Sequence, residues 1–233
     1  MGKRIISQRR GRGTGPYKSP GHHFKGEVKH YSSETSGTVI DLVHCAAHSA
    51  PLMKVAYLTG EKSLTFAPEG IRVGDEISVG GTEVKLGNVL PLRDIPEGTL
   101  VHNIELRPID GGKLVRTSGS SAKVVAKTET TVRVKLPSKK EKLFHPGCRA
   151  AIGILAGSGR TEKPFLKAGT RFKKMKVRNK LYPKVCGISM NAVDHPFGGS
   201  CSHIKGRPTL SPRNAPPGRK VGKIAPRRTG RKR

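Results

Sequence analysis

Apolar residues change their pattern twice along the chain. Between residues 37 and 170 they come in short β-favouring runs. "GTVIDLVH", "APLMKVAYLTG", "KSLTFAPEG", "DEISVGG" and "EVKLGNVLPL" follow one another, separated by Gly, Pro or Asp turns at spacings of about ten residues. This cadence predicts an all-β region, a barrel or a sandwich. The first set fills residues 37–94, which suits a five-stranded OB-type barrel better than a seven-stranded sandwich of about 100 residues. After the proline-bounded connector "LPLRDIPEGT" come "LVHNIELRPI", "KLVRTSG", "EKLFHPG" and "CRAAIGILAG", and "AKVVAKTETTVRVKL" reads as a β-hairpin. Residues 95–170 are therefore expected to form a second small barrel. Each is close to the lower size limit for an independent core, so the two are expected to pack together or to lean on a partner.

The flanks differ. Residues 1–36 and 171–233 are punctuated by Gly and Pro, as in "RRGRGTGPYKSPGHHFKGEVKHYS" and "SPRNAPPGRKVGKIAPRRTGRKR", and their apolar residues keep neither a 3.6 nor a 2 period. So little apolar surface does not offset ordering entropy, and these extensions are expected to order only on a partner.

Charge identifies the kind of partner. The chain of 233 residues carries 45 Lys plus Arg against 16 Asp plus Glu, a formal charge of +29. Residues 1–36 hold 8 basic and 2 acidic residues and residues 171–233 hold 18 and 1, so +23 of the +29 sits on the extensions. A density of this kind calls for a polyanion whose phosphates neutralise it and release counterions, hence nucleic acid. Aromatic and imidazole groups interleave with the N-terminal cations: Tyr17, His22, His23, Phe24, His30 and Tyr31 stand among Arg9, Arg10, Arg12, Lys18 and Lys25. Flat groups for splayed bases beside charges for the backbone favour RNA. In the C-terminal part, Lys173, Lys174, Lys176, Arg178, Arg207, Arg213, Arg219 and Lys220 are the candidate phosphate contacts, with Arg160 just before them. Fully extended, the last 63 residues reach about 200 Å, enough to enter a large particle. A membrane partner is not expected, since no run of about 18 apolar residues and no signal-like start occur.

Motifs that suggest an enzyme or a metal are weaker on inspection. "GSGR" at 157–160 lacks the GK[ST] ending of a phosphate loop and reads as a turn. His44 and His48 follow a β-branched run and read as a strand-end or loop pair, and "DGG" at 110–112 is a turn signal. Cys45, Cys148, Cys186 and Cys201 form no CxxC pair, so free thiols in a reducing cytosol are expected. A zinc site from Cys186, Cys201, His195 and His203 is the minor alternative, its spacing matching no finger or ribbon.

Two stretches carry a resemblance. "GGKLVRTSGSSAKVVAKTETTVRVKLPSKKEKLFHPGCRAAIG" and "GISMNAVDHPFGG" resemble the signature regions of the universal large-subunit ribosomal protein two family, and "RNAPPGRKVGKIAPRRTGR" and "APEGIRVGDEISVG" resemble its archaeal and eukaryotic branch. The resemblance implies an OB-type barrel followed by an SH3-like barrel, with both extensions threaded through rRNA near the peptidyl transferase region. It implies a non-enzymatic, cytoplasmic ribosomal component that supports assembly, subunit association, tRNA binding and peptide-bond formation. Its implied partners are large-subunit rRNA, neighbouring large-subunit proteins, the small subunit across a bridge and, indirectly, tRNA. No cofactor is expected, and whether magnesium bridges the protein to rRNA phosphates is left open by the sequence. Carried over by position, Asn191, Asp194, His195, Phe197, Gly198 and Gly199 form the loop nearest the catalytic RNA. Cys186, where Arg is usual, and Ser200, where a third Gly is common, depart from the pattern.

Two other functions compete. One makes His195 the general base of peptidyl transfer, oriented by Asp194 or another carboxylate; neighbours in an extended chain point to opposite sides, which weighs against Asp194. The other is a nonspecific DNA compactor, which does not require two folded barrels.

Overall fold

Strand β1 (Thr35–Val43) buries Gly37 and Val39 and exposes Ser36, Thr38 and Ile40, the alternation of a strand with one covered face. It pairs antiparallel with β2 (Leu52–Tyr57) on one side and β4 (Glu76–Val79) on the other, and a bulge between Val39 and Asp41 shifts its register against β2. β2 continues into β3 (Lys62–Phe66), and β4 meets β5 (Val89–Pro91) in a parallel contact. The second set is β6 (Leu100–His102), β7 (Ala122–Lys127), β8 (Val132–Lys135), β9 (Glu141–Phe144) and β10 (Arg149–Ile152). All ten form one sheet of order β3-β2-β1-β4-β5-β10-β6-β7-β8-β9. The protein is all-β in class, with few helical residues.

The computed structural model describes residues 2–199 and 210–226. The chain divides into two compact units, one of residues 21–165 containing the ten-stranded sheet, the other gathering 1–20 and 166–233. Residues 21–36, read above as N-terminal extension, thus lie with the sheet.

Within the sheet unit, Leu90, Val101, Val124, Val132, Val134, Phe144 and Ala150 share one apolar cluster. Val39, Val55, Ile77 and Ala151 share a second, and Val28, Leu52, Phe66 and Leu155 a third. β10 contributes Ala150 to the first and Ala151 to the second, because successive residues of a strand face opposite sides.

Charged groups are buried where this sheet meets residues 27–32. Glu105 is fully buried and takes hydrogen bonds from Arg149 Nη2 at 2.9 Å, Arg149 Nε at 3.2 Å and the Arg149 backbone N–H at 2.8 Å. Arg149 Nη1 also donates to the Tyr31 carbonyl at 2.7 Å, which ties residue 31 to the sheet. Burial alone would raise the Glu105 carboxyl, but the Arg149 hydrogen bonds and charge and the Gly111 N–H outweigh it and hold the group below its ordinary value. Burial dominates at His30 and His102 instead and lowers each to about 4, so both rings are neutral near pH 7.

In the other unit the extensions contain regular pieces that the Gly/Pro pattern did not suggest. These are α1 (Ile6–Gly11), α2 (Ala168–Val177) and the paired two-residue strands β11 (Leu210–Ser211) and β12 (Lys223–Ile224). α2 buries no residue and is built largely of good helix formers, with Lys174 and Lys176 in the last turn, where cations complement the helix dipole.

Candidate nucleic-acid interface

The loop of residues 191–199 is shaped by its own backbone. The Asn191 carbonyl accepts the N–H groups of Asp194 at 3.0 Å and His195 at 3.2 Å, and the Gly198 N–H donates to the His195 carbonyl at 2.9 Å. Pro196 fixes φ at the bend. Gly198 lies against the Asn191 and Met190 carbonyls, where any Cβ would collide, and Gly199 adopts φ +89°, so both positions require glycine.

His195 is held on three sides. A Cβ at Gly187 would strike its ring, and Phe197 meets it edge-on with centroids 5.1 Å apart. Nδ1 accepts the Phe197 N–H at 3.1 Å. Burial lowers the His195 pKa, so the ring is neutral near pH 7. With Nδ1 acting as acceptor, the proton of the neutral ring resides on Nε2. Nε2 of His195 is therefore a donor and offers no lone pair. The Asp194 carboxylate is 3.9 Å from Lys3 Nζ, a partner on the opposite terminal segment.

That segment packs on the loop. The Lys3 N–H donates to the Val193 carbonyl at 2.7 Å, and a Cβ at Gly2 would come to 2.9 Å from the same oxygen. Farther on, Arg10 Nη2 donates to the Asn179 carbonyl at 2.6 Å, and Gly218 lies against the Gln8 side chain. A cleft of about 620 Å³ results, floored by Ile5, Pro196 and Pro216 and rimmed by Lys3, Arg4 and Arg219. The unit built from 1–20 and 166–233 holds 25 Lys or Arg and a single acidic residue, Asp194. The sheet unit holds 20 and 15.

The sequence-based candidates fall into three groups. Arg9, Arg10, Arg12, Tyr17 and Lys18 lie on or just after α1; Lys173, Lys174, Lys176 and Arg178 lie on α2 and its C-terminal cap; Arg213, Arg219 and Lys220 lie on the exposed C-terminal turns. All of these belong to the same unit as the 191–199 loop. His22, His23, Phe24, Lys25 and Arg160 belong to the sheet unit instead. There His22 and His23 are exposed, whereas Phe24 packs on the core and Tyr31 stacks on Tyr57 at 4.3 Å. His30 is buried, with Nε2 2.5 Å from the Asn103 carbonyl. The last three rings are therefore engaged within the protein. Arg160 Nε donates to Ser118 Oγ from a turn in which Gly157 and Gly159 have positive φ. Arg207, Ser200, Cys201 and His203 lie outside the described residues.

Among the described residues no group of three His, Cys, Asp or Glu side chains is placed to hold a metal ion. His44 and His48 lie in the loop after β1, and His48 Nδ1 is 3.2 Å from Cys45 Sγ. No helix among the described residues is long and apolar enough to cross a membrane. Gly2, Lys3 and Gly187 were not singled out from the sequence, because what they touch is set by long-range packing.

Residues 85–218 match the family "Ribosomal Proteins L2, C-terminal domain", which makes the chain a ribosomal protein in class. Three full-length relatives bear the name "Large ribosomal subunit protein uL2". That of Methanococcoides burtonii is 53% identical over 100% of both chains, and that of Methanococcus vannielii likewise 53% over 100% of both. That of Haloquadratum walsbyi is 50% identical over 99% of this chain and 97% of its own. The chain belongs to the uL2 family, in its archaeal form.

Proposed function

We propose that the chain is a structural constituent of the large ribosomal subunit that binds rRNA early. In this reading it positions rRNA near the peptidyl transferase region, supports assembly and subunit association, and contacts neighbouring ribosomal proteins, while tRNA is served indirectly. The observation that carries the reading is the charge division: 25 basic residues against one acidic in the unit that holds the 191–199 loop. Counterion release from so many cations supplies affinity, and the loop supplies shape. No resident metal or organic cofactor is part of this reading.

Strand order supports the two-barrel reading of the sheet unit. β6 to β9 run as a meander and β10 returns beside β6, an arrangement that suits an SH3-like barrel. β1, long and bulged, pairs with both β2 and β4, which suits an OB-type barrel that bends one strand to close.

For His195 the geometry favours positioning over chemistry. A general base needs a lone pair facing its substrate, and here Nδ1 accepts a backbone N–H while Nε2 carries the proton. His195 therefore donates to an RNA acceptor, and the chemical step belongs to the RNA.

The test is a crosslinking map of the full chain against total cellular RNA. Crosslinks should concentrate on large-subunit rRNA, with protein-side peptides from residues 2–20 and 168–226. Crosslinks spread evenly over unrelated RNA or genomic DNA would reject the reading.

A further inference from the structure

Ile109 occupies the left-handed region at φ +66°, which a β-branched side chain adopts only when its surroundings force it. Two carboxylates force it. Glu105 takes the N–H groups of Ile109 at 3.2 Å and Gly111 at 3.1 Å, while Asp110 takes those of Leu106 at 3.0 Å, Arg107 at 3.3 Å and Gly112 at 3.0 Å. The loop is thus locked from both sides, and Glu105 is itself fixed by Arg149.

Val115 makes an instructive contrast. It is also β-branched, at φ +54°, but it packs against the apolar cluster of the second strand set, so contacts inside the protein offset the strain. Ile109 is left 71% exposed. It stands at the rim of a cleft of about 610 Å³ that also carries Lys29, Lys54 and Lys62, and exposed Arg107 and Lys113 flank it in sequence. Of the acidic groups there, Glu27 pairs with Lys29 at 3.0 Å and Asp110 is occupied by backbone N–H groups. The rim is therefore a rigidly presented apolar side chain surrounded by cations.

We propose that Ile109 is a wedge that inserts between two stacked bases of RNA, with the surrounding lysines on the flanking phosphates. Apolar side chains unstack and kink nucleic acid in this manner, and a constrained backbone presents the wedge without an ordering cost. The inference rests on the rRNA-binding reading above and adds to it a contact on the sheet unit.

The experiment uses the full chain as wild type, I109G, I109N and I109L, with full-length transcribed large-subunit rRNA as probe. Glycine and asparagine relieve the left-handed strain and remove the wedge; leucine keeps the apolar bulk. Thermal midpoints of I109G and I109N should rise by about 2–4 °C. Their rRNA affinity should fall on the order of tenfold, from lost apolar burial, with the slope of log K against log salt unchanged. Base reactivity that wild type enhances at one stacked step should disappear in both and persist in I109L. Equal affinity across the four proteins overturns the wedge, as does a loss in I109L equal to that in I109G. Normal rRNA affinity for I109G combined with its depletion from assembled particles also overturns it, assigning Ile109 to a protein neighbour. If wild type itself binds without steep salt dependence, the rRNA-binding reading falls first.

Discussion

At His195 the tautomer decides the role. A ring whose Nδ1 accepts the Phe197 N–H and whose pKa is pushed down by burial is a neutral donor through Nε2. Gln offers an amide N–H at similar reach, whereas Ala offers nothing. His195→Ala is therefore expected to weaken assembly or placement of the tRNA end, and His195→Gln to recover most of the loss. A base cannot be replaced this way, and its removal costs about 10²–10⁴-fold in the chemical step. Single-turnover peptide-bond formation in assembled particles separates the two: a loss of that size in both variants, with normal tRNA binding, would make the loop catalytic. The lowered pKa adds a second readout. Since the ring is already uncharged at pH 7, the wild-type and Gln profiles should run parallel from pH 7 upward.

β10 is the element on which the sheet unit turns. Ala151 faces Val89 of β5 on one side and His102 of β6 on the other, so one four-residue strand joins the two halves. Proline there removes a ladder donor in a strand paired on both sides, where proline is not accommodated. Calorimetry of wild type should show one transition for this unit, and Ala151→Pro should lower all of it together. If the half with β7, β8 and β9 keeps its own melting temperature, the halves are independent. β10 also marks where local patterns stop being informative. "KSLTFAPEG" and "DEISVGG" contain β3 and β4, and "AKVVAKTETTVRVKL" closes as the β7–β8 hairpin with Lys127 opposite Val132. Those pairings are written in apolar alternation and turn residues that lie close in sequence. "CRAAIG" read equally as a strand, but nothing within it announces two partners, because β5 and β6 lie far upstream. The same holds for Ile109: "DGG" announced a turn, while the strain comes from Glu105 and its distant partner Arg149. In the 191–199 loop, glycines and proline foretold a rigid bend, but the tautomer of His195 depends on atoms, and the anchor at Lys3 is nearly the whole chain away. The helix α2 was missed for a different reason: it buries nothing, so it leaves no periodic apolar stripe.

On the scale of the whole molecule, the terminal segments do two jobs that salt can separate. Residues 1–20 bring 6 Lys or Arg and no acid, and residues 171–233 bring 18 against 1. Each lost phosphate contact flattens log K against log salt by about 0.7–0.9, so removing 171–233 must flatten the line far more than removing 1–20. Charge is not the whole of the N-terminal contribution, however. Lys3 holds the Val193 carbonyl, so residues 1–20 also fix the path of the loop that presents His195. Their deletion should therefore lower affinity even where salt has suppressed the electrostatic part, in data extrapolated to about 1 M, where counterion release contributes little. The measurement is a salt titration of large-subunit rRNA binding by the full chain and by each truncation, with duplex DNA at matched salt as reference. Equal slopes for the two truncations would contradict the charge division. An unchanged high-salt affinity after loss of residues 1–20 would mean that the N-terminal segment acts only as charge, and that the loop holds its shape alone.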